Sequence, residues 1–358
     1  MNSALPPDAF LLLRTERPFF DVRSPAEYAR GHIPGAINLP LFTDEERARV
    51  GMVYKQQGAE HAFLLGLRLV GPKLEDFVRT ARKAAPHRRV AVHCWRGGQR
   101  SQSMAWLFQQ AGFEVITLEG GYKRYRQYVL EYFENTSLPL IVLGGKTGVG
   151  KTRILRALQR MGEQVIDLEA LAHHKGSSFG AIGEKPQPTS EQFENELFDA
   201  IRGLDLRRRI WVENESRSIG RIYLPLAFWR QKQIAPLINI EVPFECRIQN
   251  LIADYAAAPL NELEAAFCRL EKRLGGLRLK IALEALQRRD FATAAKTALE
   301  YYDKTYLFEL ENSCAPILET LTFAHADPVE IAHRCLQWAD KYHQNDLNSS
   351  SAKVNMIR

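Results

Sequence analysis

The stretch Val90-Ala91-Val92-His93-Cys94-Trp95-Arg96-Gly97-Gly98-Gln99-Arg100-Ser101 reads as a buried strand, a short glycine-bearing loop and the first turn of a helix. The apolar run ends at His93, two glycines follow, and helical spacing of apolar residues continues from Ser101 to Gln110. In such a unit the loop N–H groups converge on one point and the helix N-terminus adds positive potential there. Both effects, with Arg96 and Arg100 nearby, favour a thiolate at Cys94 and an anion held over its sulfur. Cys94, Arg96 and Arg100 are therefore the expected catalytic group, and Trp95, Gly97, Gly98 and Gln99 the expected anion cradle. Cys246, Cys268, Cys314 and Cys335 lie among apolar or helical neighbours with no basic loop, and are expected to be inert.

Working outward, Phe19–Val22 and Val115–Leu118 read as further strands and Leu74–Ala84 as a helix. Strands alternating with helices predict a parallel α/β sheet. A junction is expected at Glu134-Asn135-Thr136-Ser137, because a fresh buried strand, Leu138–Leu143, begins just after it. That strand leads into Gly145-Lys146-Thr147-Gly148-Val149-Gly150-Lys151-Thr152, which fits G-x-x-x-x-G-K-[ST] and is followed by a helix over Arg153–Arg160. Glycines at these positions let backbone N–H groups reach phosphate oxygens. Gly145, Gly148, Val149, Gly150, Lys151 and Thr152 are thus the expected diphosphate site, with Thr152 able to ligate Mg²⁺. Its ligand is open at this point: a nucleotide or another diphosphate ester. Asp167, Glu213 and Glu215, near the ends of later strands, are candidate acids or Mg²⁺ ligands. His173–Gly180 reads as a phosphate-facing loop; adjacent histidines with no third ligand argue against zinc, and no metal site is assigned.

Strands are also expected at Gln164–Leu168, Ile210–Glu213 and Ile238–Val242, with almost purely helical sequence from about residue 245. Leu263, Phe267, Leu270, Leu274, Leu277 and Ile281 follow a 4-3-4-3-4 spacing, predicting one apolar stripe on a helix. Arg269, Arg273 and Lys280 fall on one flank of it. The expected segments are 1–135 and 136–245, both α/β, a helical extension over 246–343, and an unstructured polar tail over 344–358. A chain of 358 residues suits such a division. With 46% hydrophobic and 25% charged residues it is globular in composition, which excludes collagen-like and wholly disordered readings. No apolar run is long enough to span a bilayer. No signal peptide is read at the N-terminus, and five cysteines without a CxxC pair predict a reduced, cytoplasmic setting. The net charge of +6 is mild, but residues 1–135 hold 19 basic against 14 acidic side chains, an excess that suits a polyanionic partner.

Two signatures carry a resemblance. Asp21-Val22-Arg23-Ser24-Pro25-Ala26-Glu27-Tyr28, followed by Gly31-His32-Ile33-Pro34-Gly35-Ala36-Ile37-Asn38, resembles the first signature of rhodanese domains, and Glu119-Gly120-Gly121-Tyr122 resembles their closing turn. The likeness covers about residues 10–130 and implies that Cys94 carries a persulfide or its selenium analogue. The spacing His93-Cys94-x5-Arg100-Ser101 also matches the loop of cysteine phosphatases, and common sulfurtransferase rhodaneses have a shorter loop. By the loop alone, Cys94 attacks either phosphorus or selenium.

A rhodanese-like half followed by a phosphate loop resembles the bacterial tRNA 2-selenouridine synthase family over roughly residues 10–340. Further matching segments are Glu45-Glu46-Arg47, Asp167-Leu168-Glu169, His174-Lys175-Gly176-Ser177, Val212-Glu213 and Glu215-Ser216-Arg217. The resemblance implies an enzyme that replaces sulfur by selenium at C2 of a wobble 2-thiouridine bearing a 5-methylaminomethyl-type substituent. It implies S-geranylation from geranyl diphosphate, then selenation from selenophosphate through a Cys94 perselenide. No tightly bound cofactor is expected; the partners are tRNA and a supplier of selenophosphate, with no membrane, and the protein is expected to be a monomer. Arg88, Arg89, Arg269, Arg273 and Lys280 are candidate tRNA contacts, and Trp95 and Tyr122 candidate stacking platforms. The alternative is a cysteine-dependent phosphatase or sulfurtransferase fused to a nucleotide-binding, kinase-like domain.

Overall fold

A computed structural model describes residues 3–311 and 317–355, which form two compact units. Cys314 lies outside the described residues. The first unit holds the chain to Asn135 together with Glu191–Asp199. Among the described residues its sheet has five strands: β1 (Ser3–Leu5), β2 (Phe19–Asp21), β3 (Ile37–Asn38), β4 (Arg89–His93) and β5 (Glu114–Leu118). They are all parallel, in the order β1-β5-β4-β2-β3. A parallel sheet is covered on both faces, which is why the middle of β4 is continuously apolar: Val90, Ala91 and Val92 are all fully buried. Met104 and Phe108 of the helix Gln99–Gln110, and Phe77 and Ala81 of the helix Leu74–Ala84, pack with Phe20, Val90 and Val92 into one core. The register sets Asp21 beside His93, so β2 and β4 end side by side, outside the carboxyl edge where α/β folds bind ligands.

The expected strands at Phe19, Val90 and Val115 appear as β2, β4 and β5. Strands β1 and β3 were not expected; three and two residues are too few to show a period of two. The first unit also takes in residues beyond 1–135. Asn195, fully buried in the helix Ser190–Arg202, donates from Nδ2 to His32 O (2.9 Å) and Tyr122 Oη (2.8 Å). Arg14 donates to Asp199 Oδ1 at 2.6 Å.

The second unit holds Thr136–Ser190 and the chain from Ala200. Its strands are β6 (Leu140–Gly145), β7 (Gln164–Ile166), β8 (Ile210–Glu213), β9 (Ser218–Ile219), β10 (Ile222–Tyr223), β11 (Leu237–Glu241) and β12 (Ile317–Thr322). Five of them form a parallel sheet of order β12-β11-β6-β8-β7, and β9 and β10 pair as a small antiparallel ribbon. The helices Lys151–Arg160 and Pro328–Asn355 close one core on the sheet through Ile154, Leu158, Ile331 and Cys335. A second core, with Phe267, Leu286 and Ala298 among its members, lies in the helical extension and takes in Phe179 and Ile182 from the segment before it.

Three expectations change here. The region after residue 245 is not purely helical: Ile317–Thr322 adds β12 beside β11, where only Leu321 of the strand is buried. An edge strand covered so sparsely leaves a weak apolar pattern. The stripe from Leu263 to Ile281 does not run along one helix. It is divided among Leu260–Arg269, Glu271–Leu274 and Gly276–Gln287, with Gly275 at φ +80° turning the chain. Leu263, Phe267, Leu270 and Leu274 are buried, while Leu277 and Ile281 lie beyond the turn at 74% and 42% exposure. Finally, the helix Pro328–Asn355 continues through most of the segment expected to be an unstructured tail; residues 356–358 lie outside the described residues. Once its first half is fixed by packing, each further residue adds a backbone hydrogen bond without a new nucleus. No helix among the described residues is long and apolar enough to cross a membrane.

Candidate active site: a cysteine loop and a phosphate loop

Cys94 follows the last residue of β4, and the helix Gln99–Gln110 begins after Gly98. Cys94 is buried; its Sγ lies 3.2 Å from Ser101 Oγ, which donates to Gly98 O at 3.1 Å. The loop is clamped by the turn Glu119–Tyr122: Tyr122 N donates to Cys94 O (2.8 Å) and Lys123 N to Trp95 O (2.9 Å). This approach demands glycine. Gly121 has φ +61°, and a Cβ there would come within 2.4 Å of both Cys94 O and Gly97 N. The second glycine pair of the sequence thus exists to shape the first.

Of the expected catalytic group, Arg100 is fixed by Glu27, donating from Nη1 at 2.6 Å and from Nη2 at 3.2 Å. Burial would raise the Glu27 carboxyl, but Arg100 outweighs it and holds it below its ordinary range. Glu27 in turn closes the capping box of the helix Pro25–Arg30, so the first signature positions the arginine of the Cys94-x5-Arg100 stretch. Arg96 is exposed and makes no ion pair among the described residues. Gln99 is exposed at the first position of its helix; Trp95, Gly97 and Gly98 are partly exposed.

Beneath the loop lies a buried network that the sequence reading did not assign. Asp21 accepts from Arg23 Nε (3.0 Å) and Nη2 (2.6 Å), and Arg23 Nη2 also donates to Gly31 O at 2.7 Å. Burial alone would push the Asp21 carboxyl up, yet His93 and Arg23 overcome it and hold it well below the usual range. His93 Nε2 is 3.3 Å from Asp21 Oδ2 without the alignment of a hydrogen bond. The Arg23 guanidinium sits 3.7 Å from the centre of the Tyr122 ring. Tyr122 is fully buried, with its hydroxyl donating to Glu191 Oε1 at 2.8 Å, and burial raises its phenol. It therefore offers no stacking face, contrary to expectation; Trp95, with its ring 5.8 Å from that of Tyr122, remains at the loop.

Arg88 and Arg89 are not at the cysteine. They stand at the opposite end of β4, Arg89 about 13 Å from His93 by strand rise and Arg88 one residue before the strand, where Arg88 donates to Ala111 O (2.9 Å) and Arg89 pairs with Glu114 (3.3 Å).

In the second unit the phosphate loop crosses from β6 to the helix Lys151–Arg160, with Gly150 in the left-handed conformation at its start. Val149 is buried and anchors the loop. Its carbonyls are tied back from behind: Arg247 Nε donates to Thr147 O (2.8 Å) and Asn250 Nδ2 to Gly148 O (2.8 Å), while Asp303 holds the Arg247 guanidinium. Gly145 N donates to Tyr306 Oη at 2.8 Å. The loop lines a cleft of about 1410 Å³.

Lys151 Nζ reaches Gly145 O and Glu215 Oε1, each at 3.5 Å. Burial would lower its ammonium, but Glu215 and Glu169 raise it. Glu169, not singled out as a site residue, accepts from Thr152 Oγ1 at 3.2 Å. Burial, then the charge of Glu215, pushes its carboxyl up to about 8. Glu213 is buried and raised well above its ordinary range, chiefly by that burial; it accepts from Glu169 N at 2.8 Å through one oxygen and leaves the other without a partner. Asp167 caps the helix Leu168–Ala172, accepting from Ala170 N at 2.8 Å. Among the described residues no three carboxylate, imidazole or thiol groups converge as ligands of a metal ion. The expected phosphate-facing loop does line the cleft, from His174 to Phe179. So do Arg269, which donates to Ser178 O (2.8 Å), and Arg273. Lys280 does not line it; it is exposed and lies 3.9 Å from Glu284 on its own helix.

The same two halves emerge from comparison with known proteins. A profile described as a rhodanese-like domain matches residues 7–128, and one described as the tRNA 2-selenouridine synthase AAA domain matches residues 138–326. A protein of Sulfurovum sp. named tRNA 2-selenouridine synthase is 37% identical over 342 residues, covering 84% of this chain and 91% of its own. One of the same name from Bdellovibrio bacteriovorus is 38% identical, covering 86% and 92%. Another from Nitrosomonas eutropha is 33% identical, covering 84% and 90%. The likeness runs through both units and the junction between them, in a single order and nearly end to end, and on that basis the chain belongs to the tRNA 2-selenouridine synthase family of enzymes.

Proposed function

We propose that this enzyme exchanges sulfur for selenium at C2 of a wobble 2-thiouridine in tRNA, by S-geranylation from geranyl diphosphate and then selenation from selenophosphate. The name of the relatives supports the tRNA substrate and the selenated product. The observation that carries the two-step reading is the make-up of the cleft: it offers loop amides and Lys151 to an anion, and also an apolar wall that includes Phe179, Phe267 and Leu286. A prenyl diphosphate has that same division.

In the first step the uridine sulfur attacks C1 of the geranyl group. The S–C1 bond forms, the C1–O bond breaks with its electron pair passing to diphosphate, and the N3 proton goes to water. Lys151 and the loop amides stabilise the departing diphosphate. Alkylation makes C2 more electrophilic and the sulfur displaceable. In the second step selenium of selenophosphate adds to C2 and geranylthiolate leaves, taking a proton from water. The P–Se bond must then break. Cys94 Sγ attacks phosphorus, the P–Se electron pair stays with the selenouridine, and water later frees phosphate from the sulfur. No atom changes oxidation level on this route. A Cys94 perselenide holds its selenium two electrons above selenophosphate, so loading it needs an external oxidant and discharging it a thiol. Electron count thus favours attack on phosphorus, and the Cys94-x5-Arg100 spacing suits it.

The test is nucleoside mass spectrometry on thiolated tRNA incubated with the protein, geranyl diphosphate and selenophosphate. Wild type gives selenouridine, wild type without selenophosphate stops at S-geranyl-thiouridine, and Cys94→Ala stops at the Se-phosphorylated nucleoside with geranylthiol already released. Selenouridine at wild-type yield from Cys94→Ala would overturn the role of the cysteine. Absence of the geranylated nucleoside from every reaction would overturn the first step. In quenched wild-type protein a phosphoryl group, rather than selenium, is expected on Cys94.

A further inference from the structure

The helix Phe291–Glu311 passes along the cleft as a graded wall. Phe291, Ala294, Ala298, Tyr302 and Tyr306 all line the cleft, at the three- and four-residue steps that keep to one helix face. Tyr306 marks the phosphate end, since its hydroxyl oxygen accepts from Gly145 N at 2.8 Å and its proton goes to Asn239 Oδ1 at 2.7 Å. Tyr302 comes next, its hydroxyl accepting from Ser178 N at 3.1 Å. Beyond it the polar groups of this face stop. Ala294 and Ala298 are small and buried, and Phe291, partly exposed, stands at the helix start. Phe267 and Leu286, both buried, contribute apolar surface to the same cleft.

Distances along this helix act as a ruler. At 1.5 Å per residue, Ala298 lies about 12 Å from Tyr306 and Phe291 about 22 Å from it. The eight-carbon main chain of a geranyl group spans roughly 10 Å, at about 1.5 Å per bond less its zigzag. A geranyl tail whose diphosphate rests on the phosphate loop therefore ends among the alanines. A five-carbon tail stops short of them, and a fifteen-carbon tail, about 15 Å long on the same scale, runs past Ala298 toward Ala294 and the Phe291 ring beyond. Small residues where the tail ends, with a large ring beyond, are a way of measuring length.

We infer that the Ala294–Ala298 face, bounded by Phe291, is the seat of the prenyl tail and selects a ten-carbon donor. This rests on the reading that the phosphate loop takes a prenyl diphosphate, and it adds which residues read the tail. Burying the tail against this wall supplies affinity in proportion to the apolar area covered, and selectivity through whichever tail fills the space without strain.

The experiment compares dimethylallyl, geranyl and farnesyl diphosphates as donors to thiolated tRNA, scored as the prenylated nucleoside. Wild type should prefer geranyl. Ala298→Phe fills the tail end and should raise the dimethylallyl-to-geranyl ratio by about tenfold or more. Phe291→Ala opens the far end and should raise the farnesyl-to-geranyl ratio by a similar factor; because it removes bulk at a partly exposed helix start, it serves if Ala298→Phe does not fold. Inhibition by inorganic diphosphate should be unchanged in both variants, which separates tail recognition from damage to the phosphate loop. If wild type transfers geranyl and neither ratio moves in a folded variant, the inference is overturned while the reading of the phosphate loop stands. If wild type transfers no prenyl group, and the loop instead binds ATP or GTP, both fall together.

Discussion

Glu27 grips Arg100 through two hydrogen bonds, at 2.6 and 3.2 Å, and thereby joins the helix after β2 to the cysteine loop after β4. The pair is partly exposed, with side chains 26% and 17% accessible, so its contribution to stability is small, of the order of 1 kcal/mol. Its contribution to geometry is larger. Glu27→Gln should leave the melting temperature nearly unchanged, yet lower selenation of S-geranylated tRNA by about 10²-fold, through a guanidinium no longer held at the loop. Steady-state rates on pre-geranylated tRNA check this, with geranylation as the internal control.

Gly121→Ala should be far more harmful than an alanine substitution usually is. The new methyl would meet Cys94 O and Gly97 N at 2.4 Å, in a backbone conformation that side chains rarely adopt. A loss of about 1–3 kcal/mol from strain alone is expected, and more if the loop cannot shift. Selenation should vanish while geranylation survives, and denaturant titration with both activity assays would reveal it.

Lys151→Ala should give the converse phenotype. Geranyl transfer is expected to fall about 10²–10³-fold, as when one oxyanion-stabilising donor is removed, while pre-geranylated tRNA is still selenated. Equal loss of both steps would mean that Lys151 does not serve the first one alone.

Glu169 makes stability depend on pH in an unusual direction. Its carboxyl rises from an ordinary 4.5 to about 8 in the folded protein. Between those values the folded state holds a proton that the unfolded state has lost, so stability falls as pH rises through this window. The slope from one such group is at most about 1.4 kcal/mol per pH unit. Glu213, raised in the same direction by burial, adds to it. Melting temperatures from pH 5 to 8 should therefore decline, and Glu169→Gln should flatten the decline; an unchanged slope in that variant would reject the assignment.

What could be read in the sequence was local. The middle of β4 and most of β6 announce themselves because strands buried on both faces are continuous apolar runs, and both reactive loops follow directly from them. The placement of the Gly145–Thr152 loop between β6 and the helix Lys151–Arg160 was legible, because the G-x-x-x-x-G-K-[ST] spacing marks where strand gives way to helix. The supports of the two loops were not. Arg247, Asn250 and Tyr306 act on the phosphate loop from a hundred residues or more away in sequence, and nothing in their own surroundings marks them. Glu169 could have been found: it stands two residues from Asp167 in a segment already seen to match the family, and both line the cleft. The 4-3-4-3-4 stripe misled because spacing cannot register a turn at Gly275, whereas the glycine itself could have.

The residues Glu191–Asp199, which complete the first unit, also set an order of events during synthesis. A ribosome that has released residue 135 has made every strand of the sheet around Cys94, but not the asparagine that satisfies Tyr122 or the aspartate that meets Arg14. At about 5–20 residues per second, several seconds pass before that helix emerges. During this interval the nascent phosphate loop and two of the five strands of its sheet, β6 and β7, are made, while the cysteine unit stands unfinished. The unit around Cys94 thus becomes whole only after the opening of the second unit has been translated, and a cut at the visible junction would part Tyr122 from Asn195 and Arg14 from Asp199.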